Sequence, residues 1–123
     1  KGRTGEVQAG SRFPWFSLSQ GGVSVSVYQW IREHRKKTFL VIIYNLPDQG
    51  YSGLDKELYE LISPEVNPAN DATLKEAGFP AAFVVLLRPD NYIGYISATG
   101  GIGELDEFMK RSYHLENNTA QGK

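Results

Sequence analysis

The chemistry open to this chain is bounded first by a residue it lacks. Its 123 residues include no cysteine. That removes a thiol nucleophile, a disulfide framework and any thiolate metal site. The two histidines, His34 and His114, lie far apart and belong to no His-x-x-x-His pattern. His34 falls in the last turn of an amphipathic stretch, where an imidazole packs or meets the helix carbonyls more readily than it binds zinc or iron. Serines are plentiful, but no Gly-x-Ser-x-Gly elbow is present, and no carboxylate pair has a spacing suited to general acid–base work. Thr99-Gly100-Gly101-Ile102-Gly103 opens a helix and raises the question of phosphate binding. It lacks both G-x-G-x-x-G and the P-loop lysine, and Glu104, Asp106 and Glu107 would repel phosphate while suiting the helix dipole. A tight turn is the better reading. Arg32, Arg35, Lys36 and Lys37 form a basic cluster at a helix end; with a net charge of −1 it reads as a solvated face and not as a nucleic-acid site. Trp15, Phe16, Tyr51, Tyr92 and Tyr95 could form an aromatic interface patch, and core packing accounts for several of them equally well.

These side chains need a scaffold, and one domain is the natural reading of this length. A composition of 41% hydrophobic and 22% charged residues is that of an ordinary globular protein, large enough for a core without staples. The longest apolar runs, 39–44 and 81–87, are too short to span a bilayer, and no secretory signal pattern is visible. The expected setting is cytoplasmic. Residues 1–9 are polar and linker-like, and the first of them is Lys1, which suggests a fragment of a longer polypeptide or a trimmed chain. Residues 10–115 form the expected domain and 116–123 a flexible tail.

Residues 16–18 and 23–25 flank Gln20-Gly21-Gly22, a hairpin signal. Ser26 then caps a helix whose face is Val27, Trp30, Ile31 and His34, closed by Arg35, Lys36 and Lys37. Residues 38–44 read as a central strand buried on both faces. A loop over 45–53 follows. Leu54, Leu58, Leu61 and Ile62 match a helical face that ends at Ser63-Pro64. Asp71 caps a short helix ending at Gly78. Residues 79–95 carry the clearest local signal: two strand-like runs joined by Arg88-Pro89-Asp90-Asn91. Pro89 presets φ at the first central position of a type I turn, Asp90 suits the second, and Asn91 tolerates positive φ. Leu105, Phe108, Met109 and Ser112 mark the last helix, with Tyr113 beside them. The predicted order is hairpin, α, β, α, short α, ββ, α. It implies an α/β fold with a mixed sheet, a central parallel pair and helices on both faces.

Two ordered motifs resemble a known family. Gly10-Ser11-Arg12-Phe13-Pro14 with Leu18 is similar to a "G-x-R-x-P … L" opening. Gly78-Phe79-Pro80-Ala81-Ala82-Phe83 and Leu87-Arg88-Pro89-Asp90-Asn91-Tyr92-Ile93 resemble a closing "G-x-P-x-A … L-x-R-P-D-G-y-V". The group is the thioredoxin-like C-terminal domain of FAD-dependent aromatic hydroxylases of the phenol hydroxylase type, and the resemblance covers residues 10–113. It implies a three-layer thioredoxin-like sandwich without redox cysteines and with a role in packing or dimerisation. The parent enzyme would hold FAD, use NAD(P)H and place one oxygen atom on an aromatic ring, with flavin and substrate in domains N-terminal to this one. Two departures stand out: Asn91 replaces the usual glycine, and Gly94-Tyr95-Ile96 replaces an aromatic–arginine ending.

The resemblance also gives Pro80 a meaning. It stands where thioredoxin folds carry a cis-proline, so the Phe79–Pro80 bond is either cis or a plain trans bond opening a strand. Without a thiol opposite, it is scaffold in both cases. Active relatives place their cysteines after the central strand; residues 45–58 offer instead Asp48, Tyr51, Ser52 and Asp55, none capable of dithiol exchange. The expectation is therefore a fragment with no catalytic, cofactor-binding or metal residues of its own, in which Pro80, Arg88, Pro89, Asp90 and Asn91 are structural. Its partners would be the flavin-binding and substrate domains, with a homodimer also open, and without nucleic acid or membrane. The alternative is a free-standing, cysteine-less module that binds a partner in the groove beside Pro80.

Overall fold

The computed structural model describes residues 7–35, 39–46, 57–98 and 102–113. Along these run β1 (Ser17–Gln20), β2 (Val23–Ser26), α1 (Val27–His34), β3 (Phe39–Tyr44), β4 (Tyr59–Ile62), α2 (Pro68–Ala77), β5 (Phe83–Leu87), β6 (Ile93–Ser97) and α3 (Ile102–Tyr113). β1 and β2 form a separate antiparallel ribbon. The main sheet has the order β4-β3-β5-β6, with β3 parallel to β4 and antiparallel to β5.

The continuous apolar run of β3 is explained by its place in that sheet. Leu40, Ile42 and Tyr44 face a core shared with Trp30 and Ile31 of α1 and Leu74 of α2. Phe39, Val41 and Ile43 face a second core closed by Leu105 and Met109 of α3. Both faces are covered, so alternation disappears from the sequence. This is the three-layer, thioredoxin-like sandwich implied by the resemblance.

Local chemistry sets the joints. Gly21 and Gly22 both take positive φ, 60° and 81°, which a two-residue hairpin turn requires. Ser26 caps α1 by accepting the Gln29 N–H. Gly78, at φ 102°, ends α2 in the left-handed conformation.

Two expectations are corrected. The helix read through Leu58, Leu61 and Ile62 is instead strand β4, paired from Phe39↔Tyr59 to Ile42↔Ile62. Over so few residues the helical and strand periods cannot be separated, and the unpaired edge of β3 decides the outcome. β4 therefore supplies the parallel partner of the central strand. Leu54 lies outside the described residues. The cap of α2 is Asn67, not Asp71: its side chain accepts the Asn70 N–H at 2.8 Å, and Pro68 occupies the first helical position.

The β5–β6 turn follows its sequence chemistry. The Asn91 N–H donates to the Arg88 carbonyl at 2.9 Å, Asn91 takes φ 68°, and the Asp90 carboxylate accepts the Tyr92 N–H at 3.1 Å. Beyond the turn the register slips: Leu87 pairs with Ile93 and Leu86 with Tyr95, which leaves Gly94 as an extra residue in a bulge. The Arg88 stem lies against it, and a Cβ on Gly94 would stand 3.3 Å from Arg88 Cγ. The departure from the family pattern at Gly94 thus makes room for Arg88. The opening segment then joins this hairpin. Arg12 bridges Tyr92, Gly10 N–H donates to the Ile93 carbonyl at 2.7 Å, and Phe13 N–H donates to the Asn91 carbonyl at 2.9 Å. The two motifs that carried the resemblance are one structural unit.

Candidate functional site

At the carboxyl end of β3 the chain leaves a cavity of about 440 Å³ lined by Tyr44, Asn45, Asp71, Leu74, Lys75, Phe79, Pro80 and Ala81. Its position, just beyond a strand end in an open sheet, is where α/β folds commonly place ligands. Tyr44 and Phe79 give it an aromatic floor, and the buried Phe83 ring stacks between them, with centroids 5.7 and 4.6 Å away. Phe13 and Phe16 continue the cluster beneath Phe79.

Pro80 is exposed at this site. The Phe79–Pro80 bond is trans, the second of the two alternatives. Gly78 already supplies the change of direction between α2 and the strand, and Ala81 and Ala82 form a bend before β5 begins. Asp48, Tyr51, Ser52 and Asp55, the residues expected in place of redox cysteines, lie outside the described residues. So do Lys36, Lys37, Thr99, Gly100, Gly101, His114 and the two terminal segments 1–6 and 114–123.

The best-defined polar group of the cavity is a tyrosine–carboxylate pair. Tyr44 O–H donates to the Asp71 carboxylate at 2.7 Å. Burial, and then that bond, push the Tyr44 phenol up to about 12. At neutral pH it is a protonated structural donor, not a base. The folded phenol holds its proton more tightly than the unfolded one does. This contribution to stability is therefore complete below about pH 10 and lost as pH rises toward 12. Among the seven tyrosines, Tyr44 should ionise late. Tyr95, raised by burial and by its bond to Glu104, should also lag. Ultraviolet titration of tyrosinate should lose one late step in Tyr44→Phe; an unchanged curve would sink the assignment.

The other sequence candidates separate. His34 Nδ1 lies 2.8 Å from the Trp30 carbonyl with its ring against Trp30, a packed histidine at a helix end. Among the described residues no group of three or more His, Asp or Glu could hold a metal. Trp15 and Tyr92 are exposed and Tyr95 half-buried, whereas Phe16 belongs to the core; Tyr51 lies outside the described residues. Arg88, Pro89, Asp90 and Asn91 form the hairpin turn, where the Arg88 guanidinium reaches Asp90 at 2.5 Å and lies over the Tyr92 ring. Arg88 is the main cause holding the Asp90 carboxyl below the usual range. Sequence reasoning missed Asn70. It is fully buried on α2 and accepts the Ser19 N–H at 2.8 Å. It also donates to the Ser19 and Glu65 carbonyls at 2.9 and 2.7 Å. The signal available was a polar residue three positions after a capping asparagine; its partner lies on a distant strand.

No family model matches the chain, and no curated protein matches it. Solved structures do. The flavin-dependent monooxygenase PieE, in complex with FAD and substrate, aligns over 89% of this chain and 20% of its own, at 16% identity and a TM-score of 0.65. Aklavinone-11 hydroxylase, in a ternary complex with FAD and aklavinone, aligns over 81% of this chain and 20% of its own, at 15% identity and a TM-score of 0.58. AhpC of Mycobacterium tuberculosis aligns over 89% of this chain and 95% of its own, at 15% identity and a TM-score of 0.55. The chain thus spans a fifth of each of these two flavoenzymes and nearly all of AhpC. At these identities the likeness is one of fold.

Proposed function

We propose that this chain, chiefly residues 10–115, is the non-catalytic C-terminal domain of an FAD-dependent aromatic-ring monooxygenase of the phenol hydroxylase type. It packs against the flavin and substrate domains of the same polypeptide or supports a dimer. FAD and NAD(P)H belong to that parent, and a cytoplasmic setting accompanies the reading. The observation that carries it is the likeness of most of this chain to a fifth of two solved flavin monooxygenases. The absence of cysteine supports it, because the thioredoxin-like scaffold then has no dithiol chemistry to perform. The purified chain is expected to carry no flavin absorbance and to oxidise no NAD(P)H. Bound flavin in the isolated chain would contradict the proposal. Sequencing the gene upstream of the Lys1 codon tests the parentage: a frame continuing into strand, G-x-G-x-x-G and helix supports it, and an adjacent start codon removes it.

The cavity beside Pro80 favours one other reading, a free-standing module that binds a partner in that groove. Lys75→Ala together with Pro80→Ala, both exposed in the cavity lining, should then abolish partner pull-down, and unchanged capture would eliminate this version.

A further inference from the structure

On the side of the sheet covered by α1, the basic end of that helix meets the β5–β6 turn around a smaller cavity. It measures about 230 Å³ and is lined by Tyr28, Ile31, Arg32, Arg35, Pro89 and Asn91. Arg35 spans the gap, its Nη1 donating to the Pro89 carbonyl at 2.8 Å. Its Nε and Nη2 are shielded from water and have no hydrogen-bond partner among the described residues. Those two N–H groups lie on the same edge of the guanidinium, the fork that grips a carboxylate through two parallel bonds. A buried donor without a partner is costly, and arginine cannot escape by losing its proton. Burial lowers the Arg35 pKa from its ordinary value, and Asp90 opposes the shift.

The surroundings strengthen the positive field. Arg32 lines the same cavity, and Arg12 lies over the Tyr28 ring, 5.8 Å from its centroid. Asp90, the nearby acid, is engaged by Arg88 and by the Tyr92 N–H. Tyrosine and arginine on one exposed face match the composition of protein interfaces.

We propose that this cavity receives a glutamate or aspartate side chain carried on an acidic segment of the polypeptide against which the domain packs. The inference rests on the packing role proposed above. The cavity is smaller than typical small-molecule sites. Its walls of Tyr28, Ile31 and Pro89 suit a methylene stem, and the two arginines suit the acid at its end. Since the free edge of Arg35 is shielded, the guanidinium turns about its Pro89 anchor to meet the incoming acid, and this relieves its unpaired state. A nucleic-acid backbone fits less well, because a chain of net charge −1 offers no extended basic track for successive phosphates.

The test is a titration of the isotope-labelled chain with a capped hexaglutamate peptide, following the Arg35 Nε–H and Asn91 N–H resonances. Capped hexaglutamine and inorganic phosphate serve as parallel probes. The expected result is a saturable shift with hexaglutamate only. Arg35→Lys, which keeps the charge but loses the fork, should weaken it about tenfold. Arg32→Gln, at an exposed position, should weaken it severalfold and serves if Arg35→Lys does not fold. Absence of saturation, equal affinity in the folded variants, or tighter saturation by phosphate would each overturn the proposal. The flavin measurement is independent. Bound flavin with an intact hexaglutamate response removes the packing role alone. No flavin and no response remove the carboxylate site alone.

Discussion

Asn70→Leu should lower stability by about 2–4 kcal/mol, a loss of about 10 °C or more in Tm. The substitution keeps the branched outline of asparagine, with bulkier methyl groups, but removes three hydrogen bonds at once. One oxygen and one nitrogen of Asn70 pair with both backbone groups of Ser19, much as a neighbouring strand would. The second bond from the same nitrogen satisfies Glu65. Without them the Ser19 N–H and the Glu65 carbonyl lose their Asn70 partner, each at about 1–3 kcal/mol where water cannot follow. The Ser19 carbonyl keeps a longer bond from Asn67 Nδ2, at 3.3 Å. The damage should be larger than that of Asn67→Ala, which removes the α2 cap, worth about 1 kcal/mol, and the longer bond to Ser19. Urea denaturation of the three proteins would check this. A loss for Asn70→Leu no greater than for Asn67→Ala would mean that water replaces the asparagine.

Phe83→Ala is expected to cost about 3–5 kcal/mol. Phe83 is fully buried, at the centre of a stack with Tyr44 and Phe79. Its removal takes away contact area on both sides and leaves a void, because β5 is held by its pairing with β3 and β6 and cannot collapse inward. Tyr44 and Phe79, which stack on Phe83, line the cavity beside Pro80. Any groove-binding activity should therefore fall together with stability. Phe83→Leu, which restores most of the volume, should recover most of the loss. Denaturant midpoints at constant m-value would measure both. A cost below about 1 kcal/mol would show that the aromatic floor contributes little.

Much of the fold could be read from local chemistry. Ser26, Gly78 and Asn91 each act as their residue types predict, because a cap or a turn depends on only a few neighbouring atoms. β3 was readable because burial on both faces demands an unbroken apolar run. β4 was not, since its four residues satisfy either period and its identity comes from Phe39 and Ile42 across the sheet. The site divides in the same way. Phe79 and Pro80 belong to a recognisable motif, whereas Tyr44 and Asp71 meet only when α2 packs on the sheet. The state of Arg35 depends on Pro89, more than fifty positions away, and no helix-end rule foretells it.

The bridge between Arg12 and Tyr92 has a consequence for how the domain assembles and yields. It joins residues about 80 positions apart, so it closes a loop containing most of the chain, at a high cost in loop entropy. The β5–β6 hairpin has its partners close at hand and can form early; the opening segment can dock only once that turn exists to receive it. If unfolding retraces that order, this seam is where the domain opens first. Hydrogen exchange of the Gly10 and Phe13 amides against those of β3 would test this. A load applied through the segment at Gly10 reaches the Pro89 turn before it reaches the central strands. That segment works as a latch, and the β5–β6 hairpin is its catch.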